Sequence, residues 1–188
     1  MSMGIDAQTE IKFGARGGVN LFTQDYRPES PARKADSKFG LDLALVSNIP
    51  LGKMVSIAPE LHWLQKGYEI EEIGFVSSGV TSTLNYIEMP VLVKFNFGET
   101  AKFFVMGGPG FGYLLGGNEK VVDDGTHKID FDRVNRIELS AQFGAGISIG
   151  KVVIDVRYMS GLSNLAKDQA EGIAIYNTGF GGGISIMF

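Results

Sequence analysis

The stretch IELSAQFGAGISI, Ile137 to Ile149, decides the fold. Its odd positions are Ile137, Leu139, Ala141, Phe143, Ala145, Ile147 and Ile149, and its even positions are Glu138, Ser140, Gln142, Gly144, Gly146 and Ser148. Side chains alternate across a strand with period two, so this segment reads as a strand with one apolar and one polar face. Beyond Gly150-Lys151 the pattern resumes, with Val152, Ile154, Val156 and Tyr158 against Val153, Asp155 and Arg157. Upstream, Ile87, Met89, Val91, Val93, Phe95 and Phe97 oppose Glu88, Pro90, Leu92, Lys94 and Asn96. The C-terminus sets Phe180, Gly182, Ile184, Ile186 and Phe188 against Gly181, Gly183, Ser185 and Met187. Less regular alternation over residues 11–22, 38–47, 54–68 and 102–115 brings the total to eight strands. Helical periodicity of comparable length is absent.

The connections between these strands alternate in length. Short ones lie near residues 48–53, 98–101 and 150–151, and long polar ones at Thr23–Ser37, Glu69–Ser82, Gly116–Asp132 and Leu162–Tyr176. All short turns therefore fall at one end of an up-and-down meander and all long loops at the other, the asymmetry of a membrane-spanning barrel. The predicted fold is all-β: an eight-stranded antiparallel up-and-down transmembrane β-barrel with short periplasmic turns and four longer extracellular loops, formed by residues 11–188 as a single domain. Residues 1–10, MSMGIDAQTE, lack a basic segment followed by an apolar run and are expected to be a disordered leader remnant or expression scar. No uninterrupted apolar window reaches the length of a spanning helix. Pro59, Pro90 and Pro109 fall inside predicted strands, where bulges are expected to accommodate them.

Composition narrows the function. With 188 residues the chain suits one domain. The absence of cysteine removes disulfides, thiolate metal sites and cysteine nucleophiles. Seventeen basic against 21 acidic residues give a net charge of −4, which argues against a nucleic-acid partner. The 26 glycines are scattered through apolar strands, as at close-packed backbones.

The two faces differ in chemistry. Apolar-phase positions carry no Asp, Glu, Lys or Arg, as a lipid-facing band requires. The opposite phase carries Lys12, Arg16, Lys66, Lys94 and Arg157 against Asp42, Glu60, Glu88, Glu138 and Asp155, five of each sign. An eight-stranded lumen is only wide enough for side chains to fill, so these ten residues are expected to form an ion-pair network that closes the pore. Glycines on the same phase, among them Gly18, Gly110 and Gly144, make room for them. Aromatic residues on the apolar phase cluster at both ends: Phe95, Phe97, Phe103 and Phe188 beside the short turns, and Phe39, Trp63, Tyr113, Tyr158 and Phe180 toward the long loops. Such girdles mark the two interfaces of a bilayer. The expected location is the cell outer membrane. Turned inside out, the same alternation describes a soluble lipocalin-like barrel around a small hydrophobic ligand, which stands as the alternative.

The segments FGARGGVNLF (Phe13–Phe22), YIEMPVLVKFNFG (Tyr86–Gly98), MGGPGFGYLLGG (Met106–Gly117) and VRYMSGLSNL (Val156–Leu165) together resemble the PorT-like outer-membrane β-barrel family of Bacteroidetes-type bacteria. The terminal GISIMF, ending in Phe188, is similar to the aromatic signal that outer-membrane assembly machinery recognises. The resemblance implies a small barrel exported through a cleaved leader. Most members of that family lack an assigned activity, and one branch is associated with protein secretion. The expected role is a structural or interaction protein that displays its loops. Its expected partners are membrane lipid or lipopolysaccharide, the assembly machinery through Phe188, and an envelope protein.

No catalytic residue, metal or cofactor is expected. His62 lies on the charged phase near Glu60, and Ser56, Ser140 or Ser148 could serve as nucleophile in a lipid-modifying enzyme, the second alternative, but no motif ties Ser, His and acid together. The run Asp123, Asp124, Gly125, Thr126, His127, Asp130, Asp132 departs from calcium-loop spacing and reads as an acidic surface loop. The glycines of residues 107–117 lack the Lys-Ser/Thr of a phosphate loop and read as strand.

Overall fold

The computed structural model describes residues 10–27, 36–70, 79–98, 101–121, 125–128, 134–167 and 174–188. They form β1 (Lys12–Arg27), β2 (Asp36–Pro50), β3 (Val55–Ile70), β4 (Val80–Phe97), β5 (Ala101–Val121), β6 (Gly125–Lys128), β7 (Ile137–Ile149), β8 (Val152–Gly161) and β9 (Ala174–Met187). Every pairing is antiparallel. β6 is a short hairpin on the end of β5, and the other eight strands pair in chain order until β9 meets β1. The sheet is thus a closed eight-stranded barrel, and closure leaves those eight strands without a free edge. At the seam Phe188 donates its N–H to Phe13 at 2.8 Å and receives one back at 3.3 Å.

Alternation sends side chains outward or inward, and the outcome is lopsided. Leu45 and Val156 are 65% and 64% exposed, whereas Arg16 and Glu138 are 3% and 1% exposed. The outer wall is apolar and the lumen holds the charges, the arrangement stable in hydrocarbon, where backbone pairing is satisfied inside the sheet.

The lumen also holds two apolar clusters. Ala58, Leu92, Phe104, Met106 and Val153 pack toward the short-turn end. Phe22, Leu64, Leu84, Tyr86, Leu114 and Met159 pack toward the long loops, where they meet Leu165 from the β8–β9 connection. Backbone bonds from Asn135 to Leu165 (2.7 Å) and from Leu165 to Ile175 (2.9 Å) hold that connection across the upper mouth.

The strands run further than alternation shows. Thr23–Arg27 pairs with Ala174–Thr178, and Glu69-Ile70 with Val80-Thr81, so parts of the expected long loops are strand. Residues 28–35, 71–78, 122–124, 129–133 and 168–173 of those loops lie outside the described residues, as do residues 1–9 of the expected leader remnant.

The three prolines do not cause bulges. Pro59 opposes Val91, Pro90 opposes Gly110 and Pro109 opposes Ala141, with the register unchanged on either side. A strand N–H serves only one of its two neighbours, so a proline deletes one ladder bond without adding a residue. The register shifts instead between Ser37 and Asp42 of β2 and between Asn85 and Tyr86 of β4.

Candidate functional site

The inward positions of β1, β2, β3 and β8 bring six side chains together midway along the lumen. Arg16 donates Nε and Nη2 to Asp155 at 3.1 and 3.0 Å and binds Asp42 through Nη1. Asp42 Oδ1 lies 2.7 Å from Nδ1 of His62, whose Nε2 lies 2.8 Å from Glu60 Oε2. Arg157 binds Glu60 through Nη1 at 2.5 Å and Asp155 through Nε at 2.6 Å. The chain of contacts returns to Arg16, so the six residues form a closed ring. Both His62 nitrogens face carboxylate oxygens, and only the doubly protonated imidazole donates at both. In that form three cations meet three carboxylates, the balance that a charge removed from water requires.

A second network lies beside it. Lys66 Nζ is 2.9 Å from Glu88 Oε2 and 2.8 Å from Glu138 Oε1, and lies over the rings of Phe22 and Tyr86 at 5.2 and 4.8 Å. One lysine cannot saturate two carboxylates. Ser140 Oγ and Gln142 Nε2 donate to Glu88 at 2.6 and 2.9 Å, and Asn177 Nδ2 donates to Glu138 at 2.8 Å.

Eight of the ten expected charges thus join two networks: Arg16, Asp42, Glu60, Asp155 and Arg157 in the ring, and Lys66, Glu88 and Glu138 beside it. Lys12 and Lys94 stand outside both. Lys12 is exposed at the short-turn mouth, and Lys94 places Nζ 4.0 Å from the centroid of Phe104. Five-against-five pairing is therefore not what the lumen does. Three cations face five carboxylates there, and His62 with the neutral donors Ser140, Gln142 and Asn177 makes up the difference. Counting formal charge misses neutral donors.

Glycine makes the ring possible. A Cβ at Gly183 would lie 2.8 Å from Arg16 Nε, whose guanidinium is fixed on two carboxylates and has nowhere to go. Gly183→Leu is expected to lower barrel stability by about 1–3 kcal/mol, the range for overpacking, as read by urea unfolding from vesicles through Trp63, the sole tryptophan.

The nine aromatic residues expected at the interfaces, Phe39, Trp63, Phe95, Phe97, Phe103, Tyr113, Tyr158, Phe180 and Phe188, all lie on the outer phase. Phe97 opposes Phe103 near the short turns, and Tyr158 opposes Phe180 higher up with ring centroids 5.0 Å apart.

A closed antiparallel barrel with an uncharged outer band and a charged interior suits a lipid bilayer. The outer membrane protein beta-barrel domain family matches residues 6–167. The chain belongs to this family. As an outer membrane beta-barrel protein it resides in the outer membrane, and the soluble lipocalin-like alternative falls, because that fold needs its apolar residues inside. The fold is similar to that of Neisserial surface protein A, at 10% identity and a TM-score of 0.52 over 94% of this chain and 97% of that one. It is equally similar to OprG from Pseudomonas aeruginosa, at 10% identity and 0.52 over 94% and 95%. These likenesses concern the fold. No curated protein matches the sequence.

Two of the three serines considered for catalysis, and His62, are engaged elsewhere, while Ser148 lines the short-turn end of the lumen. Ser140 serves Glu88, Ser56 Oγ donates to Asn48 at 2.9 Å, and His62 is held by Asp42 and Glu60, so no Ser–His pair forms among the described residues. Asp123, Asp124, Asp130 and Asp132 of the acidic run lie outside the described residues, while Gly125–Lys128 is β6. The glycine run of residues 107–117 lies within β5.

Proposed function

We propose that this outer-membrane barrel is a structural and interaction protein, a rigid scaffold that displays its long loops outside the cell without opening a pore. The filled lumen carries this reading: Tyr86 and Leu114 of the upper apolar cluster, Glu138 of the Lys66 network and Leu92 of the lower apolar cluster are each at most 1% exposed. Side chains that occupy an eight-stranded interior leave no path for hydrated ions. Binding residues concentrate on loops held by a rigid frame, which directs the search for a partner to the long-loop end. The partner classes in this reading are lipid or lipopolysaccharide at the outer wall, an envelope protein at the loops, and the assembly machinery at Phe188. Membership of the PorT-like branch belongs to the same reading and is supported by the order of the four segments between Phe13 and Leu165. A role without catalysis is supported by the engagement of both His62 nitrogens.

Planar-bilayer recording tests the closed lumen. The refolded barrel, verified by a heat-dependent shift in gel mobility, is expected to give no steady conductance. A large reproducible open state would overturn the proposal.

A further inference from the structure

The short-turn end of the barrel contains a cavity of about 560 Å³ that neither network uses. Its floor is the underside of the ring, where Glu60, Asp155 and Arg157 face it. Those three are already bound to one another and to Arg16 and His62. Its walls carry Lys12, Lys94 and Lys102, with Lys53 from the β2–β3 turn. Among the described residues none of these four lysines has a carboxylate within ion-pair distance, and the one further carboxylate on the wall is Glu10. Lys94 is half-buried on the face of Phe104, which offers a quadrupole and no counter-charge. Ser148 and Ser185 also line the wall, each opposite Val153 in the ladder, and supply hydroxyl donors.

Four ammonium groups against one unmatched carboxylate make a vestibule that repels cations and rewards multivalent anions. Lysine is a compact point charge with three donors, suited to oxyanions. The volume falls in the range of small-molecule sites, about 300–1,000 Å³, too small for a folded partner. We infer that this periplasmic vestibule binds a multivalent phosphate-type oxyanion, with Lys94 as its innermost cation not already paired to a carboxylate and Lys12 and Lys102 nearer the rim. The inference concerns the opposite end of the barrel from the loops and stands apart from the role proposed for them.

Two sources present such a group on the periplasmic side: a soluble phosphate compound and the headgroup of an anionic phospholipid. Calorimetric titration of the full chain in neutral detergent with pyrophosphate tests the first. Co-purification of phosphatidylglycerol against phosphatidylcholine from mixed nanodiscs tests the second. Saturable pyrophosphate binding, stronger than for acetate and weakened by salt, is expected. Lys94→Gln is expected to weaken it about tenfold, the loss of one charge-assisted hydrogen bond. The double variant Lys12→Gln/Lys102→Gln changes only exposed residues and keeps the test open should Lys94→Gln fail to give the heat-shifted folded band. Lys120→Gln/Lys128→Gln, at the other end of the barrel, is expected to bind like the parent. Selective retention of phosphatidylglycerol that the vestibule variants lose, without pyrophosphate binding, assigns the oxyanion to lipid. Absence of both, or binding indifferent to the vestibule lysines, would overturn the inference.

Discussion

Replacing Arg16 by methionine is expected to destabilise the barrel by about 3–5 kcal/mol, the loss typical of removing one member of a buried ion pair. Arg16 is 3% exposed and is the link between Asp42 and Asp155, so its loss opens the ring at two points and leaves the ring carboxylates in excess. Most of the loss comes from the carboxylates left behind. The double variant Arg16→Met/Asp42→Leu is accordingly expected to regain part of the stability, a non-additivity that separates buried-charge cost from lost packing. Lys12→Met, four residues away on the same strand face, is expected to change little, because Lys12 is exposed and outside both networks. Urea unfolding from vesicles, followed by Trp63 fluorescence, measures all three. An Arg16→Met barrel as stable as the parent would show that the ring is not a cooperative element.

The second large effect concerns the outer wall. Leu45→Arg is expected to cost about 2–4 kcal/mol, the range for arginine near the bilayer midplane. Leu45 is 65% exposed, stands opposite Ala15 and Leu61, and lies between the Phe39 ring and the turn that begins at Leu51. Ile11→Arg, at the lower edge of the wall, is expected to cost at most about 1 kcal/mol, since the penalty fades toward the interface. Equal effects at the two sites would mean that the wall does not sample hydrocarbon at Leu45.

The strands that cross the membrane were the most legible part of the sequence, for a physical reason. Ile137–Ile149 separates two environments of opposite polarity, so its two faces differ and period two is visible. Thr23–Arg27 stands above the apolar band with polar residues on both faces, so the same extended backbone shows no alternation and reads as loop. Alternation also assigns a face without a depth. Lys94 and Glu88 share the inward phase of β4, yet Glu88 lies within a network and Lys94 lies below it. The lumen's apolar content was obscured similarly: Leu64, Leu92 and Leu114 sit on the phase that charge marks as polar, and their role emerges only from their neighbours across the axis. The ring itself joins Arg16 to Asp155, 139 positions apart. No local pattern signals such a contact, because it depends on how β8, β9 and β1 come together when the barrel closes.

That closure has a consequence for biogenesis. The first strand finds its outer partner only in the last one, through a ladder that runs from Gly14 opposite Met187 to Arg27 opposite Ala174. Until those final residues emerge and dock, an incomplete assembly exposes two unpaired rims to any neighbouring chain. Loss of the carboxyl-terminal segment therefore trades a self-contained cylinder for a sticky open ribbon, and gradual shortening has no stable halfway product.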